Sequence, residues 1–130
     1  MKIVVQKREG MRFEAQIRNH VVPFDTRSRT GGANTAANPL DTMVASLGAC
    51  VGMYAAIACK ELGLSAEGMK VRVDFVMAPD PMRVSRMNIA IELTQPLTNA
   101  QQVKILEYAN ACTIENTLLN PPEITVVMGS

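Results

Sequence analysis

The stretch from Asn38 to Gly63 constrains the fold most strongly, because it carries signals for both helix ends and almost no charge between them. Asn38 is a favourable N-cap, and Pro39 suits the first helical turn, where a missing N–H costs nothing. Gly63 supplies a left-handed C-terminal cap. No charged residue lies between Asp41 and Lys60, and a helix that is apolar on every side is typically buried. The sequence therefore predicts a long, buried central helix.

Length and charge limit the class of protein. A chain of 130 residues is long enough for a single domain, over residues 1–130, with its own core. Thirteen basic residues against twelve acidic ones indicate no nucleic-acid partner and no anionic membrane partner. The helix is too polar at Thr42 and Ser46, and too rich in glycine and alanine, to favour a membrane span. No signal peptide is visible, which favours a cytoplasmic location.

The segment before the helix has the alternation of an antiparallel sheet. Residues 2–8 and 11–18 are predicted to pair as a hairpin, and a third short strand covers residues 20–24. Pro23 cannot donate to a sheet ladder, so this third strand is expected at the edge.

The segment after the helix predicts a second hairpin and two more helices. The alternating strands cover residues 69–77 and 82–94. Thr98 has a glutamine three residues later, which is a capping box for a second helix. A break near Cys112 precedes a short third helix, and residues 123–128 are predicted to form a closing strand. The order is βββ-α-ββ-αα-β, an α+β domain.

Small residues along the central helix predict a homodimer with an extensive interface. They allow close approach by another helix, and they are Ala45, Ser46, Gly48, Ala49, Gly52, Ala55 and Ala56. A helix that is apolar on every side needs cover on every side, and one sheet covers only one of them. A partner chain is the expected source of the rest. The alternative is that the second helix of the same chain supplies that cover.

The three cysteines differ in their positions. Cys50 and Cys59 are nine residues apart in one helix, about 900° of rotation, so they lie on opposite faces. Cys59 is expected to be a packing residue. Cys112 follows a helix break, where free N–H groups would favour a thiolate. Cys50 lies far from the first turn of its helix, so only a cation from outside that helix is expected to activate it. The residues alone leave a structural and a catalytic role open for Cys50.

Two cysteine segments resemble the OsmC/Ohr family, the osmotically inducible and organic-hydroperoxide-resistance proteins. The first runs from Asn38-Pro39-x-Asp41 to Ala45-Ser46-Leu47-Gly48-Ala49-Cys50, and the second is Tyr108-Ala109-Asn110-Ala111-Cys112-Thr113-Ile114. The preceding Gly31-Gly32 loop is also similar to that family, and the overall pattern resembles its OsmC-like branch. The resemblance implies an α+β fold and an intertwined homodimer with two active sites at the dimer interface.

The resemblance also implies a reaction. The first cysteine of the family is peroxidatic and the second is resolving, so Cys50 thiolate would attack the O–O bond of a hydroperoxide and become a sulfenic acid. Cys112 would condense with it to a disulfide, and an external dithiol, a lipoyl group in some members, would reset the pair. No bound cofactor and no metal are expected, because the spacing of the cysteines and a single histidine resemble no zinc site.

The family places an arginine and an acidic residue beside the thiolate. The segment Phe24-Asp25-Thr26-Arg27 resembles the arginine-bearing segment of the OsmC branch, which makes Arg27 the first choice. Arg29 and Arg8 remain alternatives. Asp41 takes the place of the acidic residue, and a helix-capping role is compatible with it. Asp41 precedes Cys50 by about 13 Å along a continuous helix and lies on its far face, which agrees with a site at an interface.

Two functions follow from these observations. The first is a stress-response enzyme, a thiol-dependent peroxidase that reduces organic hydroperoxides, with hydrogen peroxide as a further candidate substrate and a thiol reductant as its partner. The second is a non-enzymatic OsmC-like dimer that binds a small apolar ligand or senses oxidants.

Overall fold

A computed structural model describes residues 1–129, which divide into two compact units, Met1–Val44 and the chain from Ala45 onward. The elements are β1 Val4–Lys7, β2 Phe13–Ile17, β3 His20–Phe24, a short 3-10 turn at Ser28–Thr30, α1 Pro39–Glu61, β4 Lys70–Ala78, β5 Arg83–Glu92, α2 Asn99–Ala109 and α3 Thr113–Leu119. The mixed α+β fold with three helices is the predicted class. The single domain over residues 1–130 stays a prediction.

The first unit carries an antiparallel sheet of three strands in the order β1-β2-β3. Ala15 in the central strand lies opposite Val5 on one side and Val22 on the other. Pro23 lies in the edge strand β3, as its missing N–H requires. The three predicted strands are therefore all present.

Helix α1 has the predicted caps at both ends. The Asn38 side chain accepts a hydrogen bond of 2.8 Å from the backbone N–H of Asp41. At the other end, Gly63 adopts a φ of 70°, and the N–H of Leu64 donates to the carbonyl of Cys59 at 2.8 Å. That bond is the longer-range one of a Schellman motif, which satisfies a terminal carbonyl of the helix.

The second unit packs the β4–β5 hairpin and α2 against the part of α1 that follows Val44. One cluster of buried residues contains Leu47, Val51, Ala109 and Cys112, and a second contains Ala55, Ala58, Cys59 and Ile105. A Cβ at Gly48 would lie 3.1 Å from a Val73 methyl, and one at Gly52 would lie 3.1 Å from a Val71 methyl. Gly48 and Gly52, two of the small residues that favour a dimer interface, therefore pack closely against β4 of the same chain.

Helix α2 begins as the sequence predicts. The Thr98 side chain accepts from the Gln101 N–H at 3.2 Å, and the Gln101 side chain accepts from the Thr98 N–H at 2.9 Å. Each partner satisfies one free donor at the helix start.

The predicted closing strand over residues 123–128 is not formed within the described chain. The segment joins neither the β1-β2-β3 sheet nor the β4-β5 sheet. Its four large apolar side chains, Ile124, Val126, Val127 and Met128, are 78% to 97% exposed. The composition favours a strand, but a strand also needs a neighbour that offers hydrogen bonds, and the two sheets do not offer one here.

Helix α1 is only partly covered within the single chain, which agrees with the expectation that one chain does not cover every side of it. Met53 is 68% exposed and Ile57 is 50% exposed. By length and composition alone, α1 is the one helix among residues 1–129 that is apolar enough to cross a membrane, a property that core helices of soluble proteins share. The homodimer stays a prediction.

Candidate functional site

The structure brings Cys50 and Cys112 together. Cys50 lies in α1 and is half-buried, whereas Cys112 directly precedes α3 and is fully buried. Both are free thiols, and the Cys112 thiol donates a hydrogen bond to the Cys50 sulfur. The two cysteines that the sequence singles out are therefore in direct contact within one chain.

Two backbone amides complete the surroundings of the Cys50 sulfur. The N–H groups of Thr113 and Ile114 donate to it, and they are free to do so because the first N–H groups of a helix have no partner inside it. Burial raises the pKa of Cys50, but the hydrogen bonds from Cys112, Ile114 and Thr113 outweigh burial, so the pKa lies below its ordinary value. The arrangement favours a thiolate at Cys50.

The pKa of Cys112 moves in the opposite direction. Burial is the largest cause and raises the pKa, and the hydrogen bond to Cys50 and the charge on that neighbour raise it further. The N–H groups of Glu115 and Ile114 lower it by less. The Cys112 sulfur also caps α3, accepting from the Glu115 N–H at 3.5 Å. The two pKa directions therefore favour the thiolate at Cys50 and the neutral thiol at Cys112.

Cys112 lies at a helix start, as the sequence predicts, and its sulfur accepts from the Glu115 N–H. The pKa of Cys112 is nevertheless raised, by burial and by Cys50, so the expected thiolate there is corrected. The cation beside Cys50 stays a prediction. In the structure, the N–H groups at the start of α3 point at Cys50. They come from a helix distant in the chain, so spacing along α1 could not reveal them.

Cys59 lies apart from this pair. It is fully buried in the second cluster, among Ala55, Ala58 and Ile105. Burial raises the pKa of its thiol. These surroundings agree with the packing role expected from its position in the helix.

The candidate arginines lie in the first unit and differ in their contacts. Arg8 forms an ion pair with Glu14 at 2.9 Å, and Glu14 also binds Arg12 at 3.2 Å. The side chains of Arg27 and Arg29 are exposed and form no ion pair within residues 1–129. Arg8 is thus held by a carboxylate of its own sheet, whereas Arg27 and Arg29 keep their charges available.

Asp25 shapes the loop that carries Arg27 and Arg29. The Asp25 carboxylate is 2% exposed and accepts from the Thr35 hydroxyl at 2.6 Å, the Thr35 N–H at 3.0 Å and the Thr26 N–H at 2.8 Å. The hydrogen bonds from Thr35 and Thr26 lower the pKa of Asp25 to about 2. A Cβ at Gly32 would lie 2.0 Å from the Thr26 carbonyl oxygen, so this close turn requires glycine.

Asp41 is the third residue of α1 and is exposed. Its N–H bonds the Asn38 side chain, and a carboxylate in the first turn favours the helix. Asp41 forms no ion pair with Arg27 or Arg29 within the described chain. The capping position is observed, and the catalytic role stays a prediction.

Sequence reasoning missed Tyr54 and Thr113. The Tyr54 hydroxyl forms a hydrogen bond of 3.0 Å with the Thr113 hydroxyl. Tyr54 lies four residues after Cys50, on the same side of α1. The four-residue spacing could have pointed to Tyr54 as a neighbour of Cys50. It could not have identified Thr113 as the residue that Tyr54 contacts.

A cavity of about 230 Å³ adjoins the cluster that contains Cys112. Its wall is apolar apart from Asn110 and Glu115, and it includes Val51, Met87 and Ala109. The cavity lies beside the cluster that contains Cys112, and its lining mixes apolar and polar surface.

Comparison with known proteins identifies the family. A family model described as OsmC-like protein matches residues 31–127. The chain belongs to the OsmC-like family. Cys50, Cys112, Asp41 and Gly31-Gly32 fall within the matched range, whereas the three candidate arginines, Arg8, Arg27 and Arg29, all precede it.

Solved structures share the OsmC-like fold. A Psychrobacter arcticus protein, provisionally described as an osmotic stress induced and detoxification response protein, is 26% identical at a TM-score of 0.81 and covers 90% of this chain and 87% of its own. An OsmC like protein from Mycoplasma pneumoniae is 17% identical at a TM-score of 0.76, covering 92% and 87%. The organic hydroperoxide resistance protein OhrB of Bacillus subtilis is 16% identical at a TM-score of 0.63, covering 93% of each chain. No curated protein matches the chain.

Proposed function

We propose that this OsmC-like protein is a thiol-dependent peroxidase that reduces organic hydroperoxides, with Cys50 peroxidatic and Cys112 resolving. The observation that carries the proposal is the direct hydrogen bond from the Cys112 thiol to the Cys50 sulfur, with two backbone amides on the same sulfur. A peroxidatic cysteine needs a thiolate, and a resolving cysteine needs to reach it without a large movement.

The proposed reaction has three steps. The Cys50 thiolate attacks the outer oxygen of the hydroperoxide, so that an S–O bond forms and the O–O bond breaks. The departing alkoxide takes a proton from solvent and leaves as the alcohol, with Cys50 as a sulfenic acid. The Cys112 sulfur then attacks the Cys50 sulfur and displaces hydroxide, which leaves as water with the Cys112 proton. An external dithiol, of lipoyl type, reduces the disulfide by two exchanges and is itself oxidised.

The opposite pKa directions support this order of steps. While Cys50 is charged, its charge and hydrogen bond help to raise the pKa of Cys112, so Cys112 stays protonated and donates. Oxidation to the sulfenic acid removes that negative charge. The pKa of Cys112 then falls, and its sulfur becomes a better nucleophile at the step that requires it.

The comparisons support a peroxide-related role. The B. subtilis neighbour, and others from Legionella pneumophila and Vibrio cholerae, are described as organic hydroperoxide resistance proteins. Three free cysteines suit a reducing compartment, and a cytoplasmic location is part of this proposal. Arg27 remains the proposed cation beside the thiolate, with Arg29 as the alternative, and Asp41 remains its proposed acidic partner.

The proposal includes a homodimer. Met53 and Ile57 on α1 and four apolar side chains of residues 123–128 are exposed in the single chain. Apolar surface of this kind is typical of a contact with another protein. The segment 123–128 also has the composition of a strand that lacks a neighbour.

The second candidate function is a non-enzymatic dimer that binds a small apolar ligand. The cavity of about 230 Å³ beside the Cys112 cluster favours it, because apolar walls with a few polar groups are typical of ligand sites.

A peroxidase assay separates the two functions. The reduced protein is mixed with cumene hydroperoxide and dihydrolipoamide, and peroxide loss is followed in the parent chain and in Cys50→Ser, Cys112→Ser and Cys59→Ser. We expect no turnover in Cys50→Ser and near-parental turnover in Cys59→Ser. With peroxide added before any dithiol, Cys112→Ser should consume one equivalent and hold a sulfenic acid, because it lacks the resolving thiol. A parent without turnover, or a Cys50→Ser variant that matches it, would exclude the peroxidase.

A further inference from the structure

We infer that Tyr54 is a positioning residue for the Cys50 site, acting through the Thr113 hydroxyl to hold two backbone amides against the Cys50 sulfur. The inference rests on the proposed function in that it treats Cys50 as the reactive thiol. Its geometry stands on the Tyr54–Thr113 hydrogen bond of 3.0 Å and on the amide contacts of Thr113 and Ile114 with that sulfur.

Thr113 connects the two parts of this arrangement. It is the first residue of α3, its N–H donates to Cys50, and its hydroxyl bonds Tyr54. Tyr54 follows Cys50 by one helical turn on the same side of α1. One short contact therefore fixes the start of α3 against the turn of α1 that carries the reactive sulfur.

Beyond its buried N-cap residue Cys112, helix α3 has few other anchors. It spans seven residues and contains no buried residue, although Ile114 packs against the cluster that contains Cys112. The Tyr54 ring packs against that same cluster, so its hydroxyl is held by a rigid, anchored side chain. Loss of the hydroxyl contact leaves α3 freer to shift, and hydrogen bonds to a sulfur weaken when the donor moves away or tilts.

The test measures Cys50 and requires no peroxide. Fully reduced protein is alkylated with iodoacetamide over a range of pH, and the label is located at Cys50 by fragment sequencing. We expect Tyr54→Phe and Thr113→Val to shift the profile to higher pH, with alkylation about threefold slower at neutral pH. The double variant should match either single one, because both remove the same contact.

Two further variants distinguish positioning from general packing. Tyr108→Phe is the matched control, because it removes the hydroxyl of the other tyrosine in the chain, which donates to Glu61 at the far end of α1. It should leave the Cys50 profile unchanged. Thr113→Ser keeps the hydroxyl and should restore the parental profile. Thermal melting checks that each variant is folded.

Several results would overturn the inference. They are a parental pH profile in folded Tyr54→Phe and Thr113→Val, an equal shift in Tyr108→Phe, or no restoration in Thr113→Ser. If Tyr54→Phe does not fold, Thr113→Val decides alone. A parent that alkylates normally but consumes no peroxide contradicts the proposed function and leaves the role of Tyr54 to be judged by the pH profile.

Discussion

The buried Cys112 thiol donates to the Cys50 sulfur and at the same time accepts from the N–H of Glu115. One sulfur atom therefore serves as a hydrogen-bond donor to the Cys50 sulfur and as the cap of α3. This double contact allows the two roles to be separated by substitution.

A pair of variants at Cys112 should separate them. Cys112→Ala removes the donor to Cys50, so the pKa of Cys50 should rise and its alkylation at neutral pH should slow by about tenfold. Cys112→Ser keeps a hydroxyl that donates, and its pH profile should stay nearer to that of the parent. The measurement is the alkylation rate of Cys50 against pH, and equal profiles for the two variants would contradict the donor role.

Asp25 should make stability depend on acid pH. Its pKa is lowered from 3.8 to about 2 in the folded chain by hydrogen bonds from Thr35 and Thr26. A depressed folded pKa gives stability that is present above about pH 4 and is lost as the pH falls toward 2. The melting temperature should be measured from about pH 5 down to about pH 2. It should fall more steeply in the parent than in Asp25→Asn. Parallel curves would contradict this assignment.

Gly32→Ala should destabilise the first unit. A Cβ there would lie 2.0 Å from the Thr26 carbonyl oxygen, a backbone atom that cannot rotate away. We expect a loss of about 2 kcal/mol, in the range of overpacking substitutions, measured by urea unfolding. Gly129→Ala is the control, because a Cβ at Gly129 meets no atom within 4 Å. A parental urea midpoint in Gly32→Ala would contradict the close approach.

Charges in the segment 123–128 should weaken the proposed dimer. Light scattering of the parent should give the mass of two chains, and the double variant Ile124→Asp/Val126→Asp should raise the dissociation constant by about tenfold or more. Val103→Asp, on the exposed side of α2, is a matched control outside the segment. A monomeric parent, or an equal effect of Val103→Asp, would contradict a role of this segment in association.

Local signals predicted most of the fold. Helix caps depend on contacts between residues that are close in the sequence. The ends of α1 could therefore be predicted from Asn38 and Gly63, and the start of α2 from Thr98 and Gln101. The strand over 123–128 was predicted from composition, but pairing depends on a distant neighbour that composition does not specify.

The candidate site shows the same division. Cys50 and Cys112 could be identified from their segments, and the structure places them in contact. The backbone amides of Thr113 and Ile114 could not be identified as contacts of Cys50. Every residue except proline has such an N–H, so the sequence does not show which ones reach a distant sulfur. The contact of Tyr54 with Thr113 joins residues from separate helices, so only the folded chain reveals it.

The cap of α3 also has an evolutionary consequence. Serine is among the most favourable N-caps, so a cysteine-to-serine change at residue 112 would keep the helix start while removing the resolving thiol. In terms of the proposed peroxidase, such a change would end turnover and keep the helix start, so the fold and the proposed chemistry can be lost independently at this position.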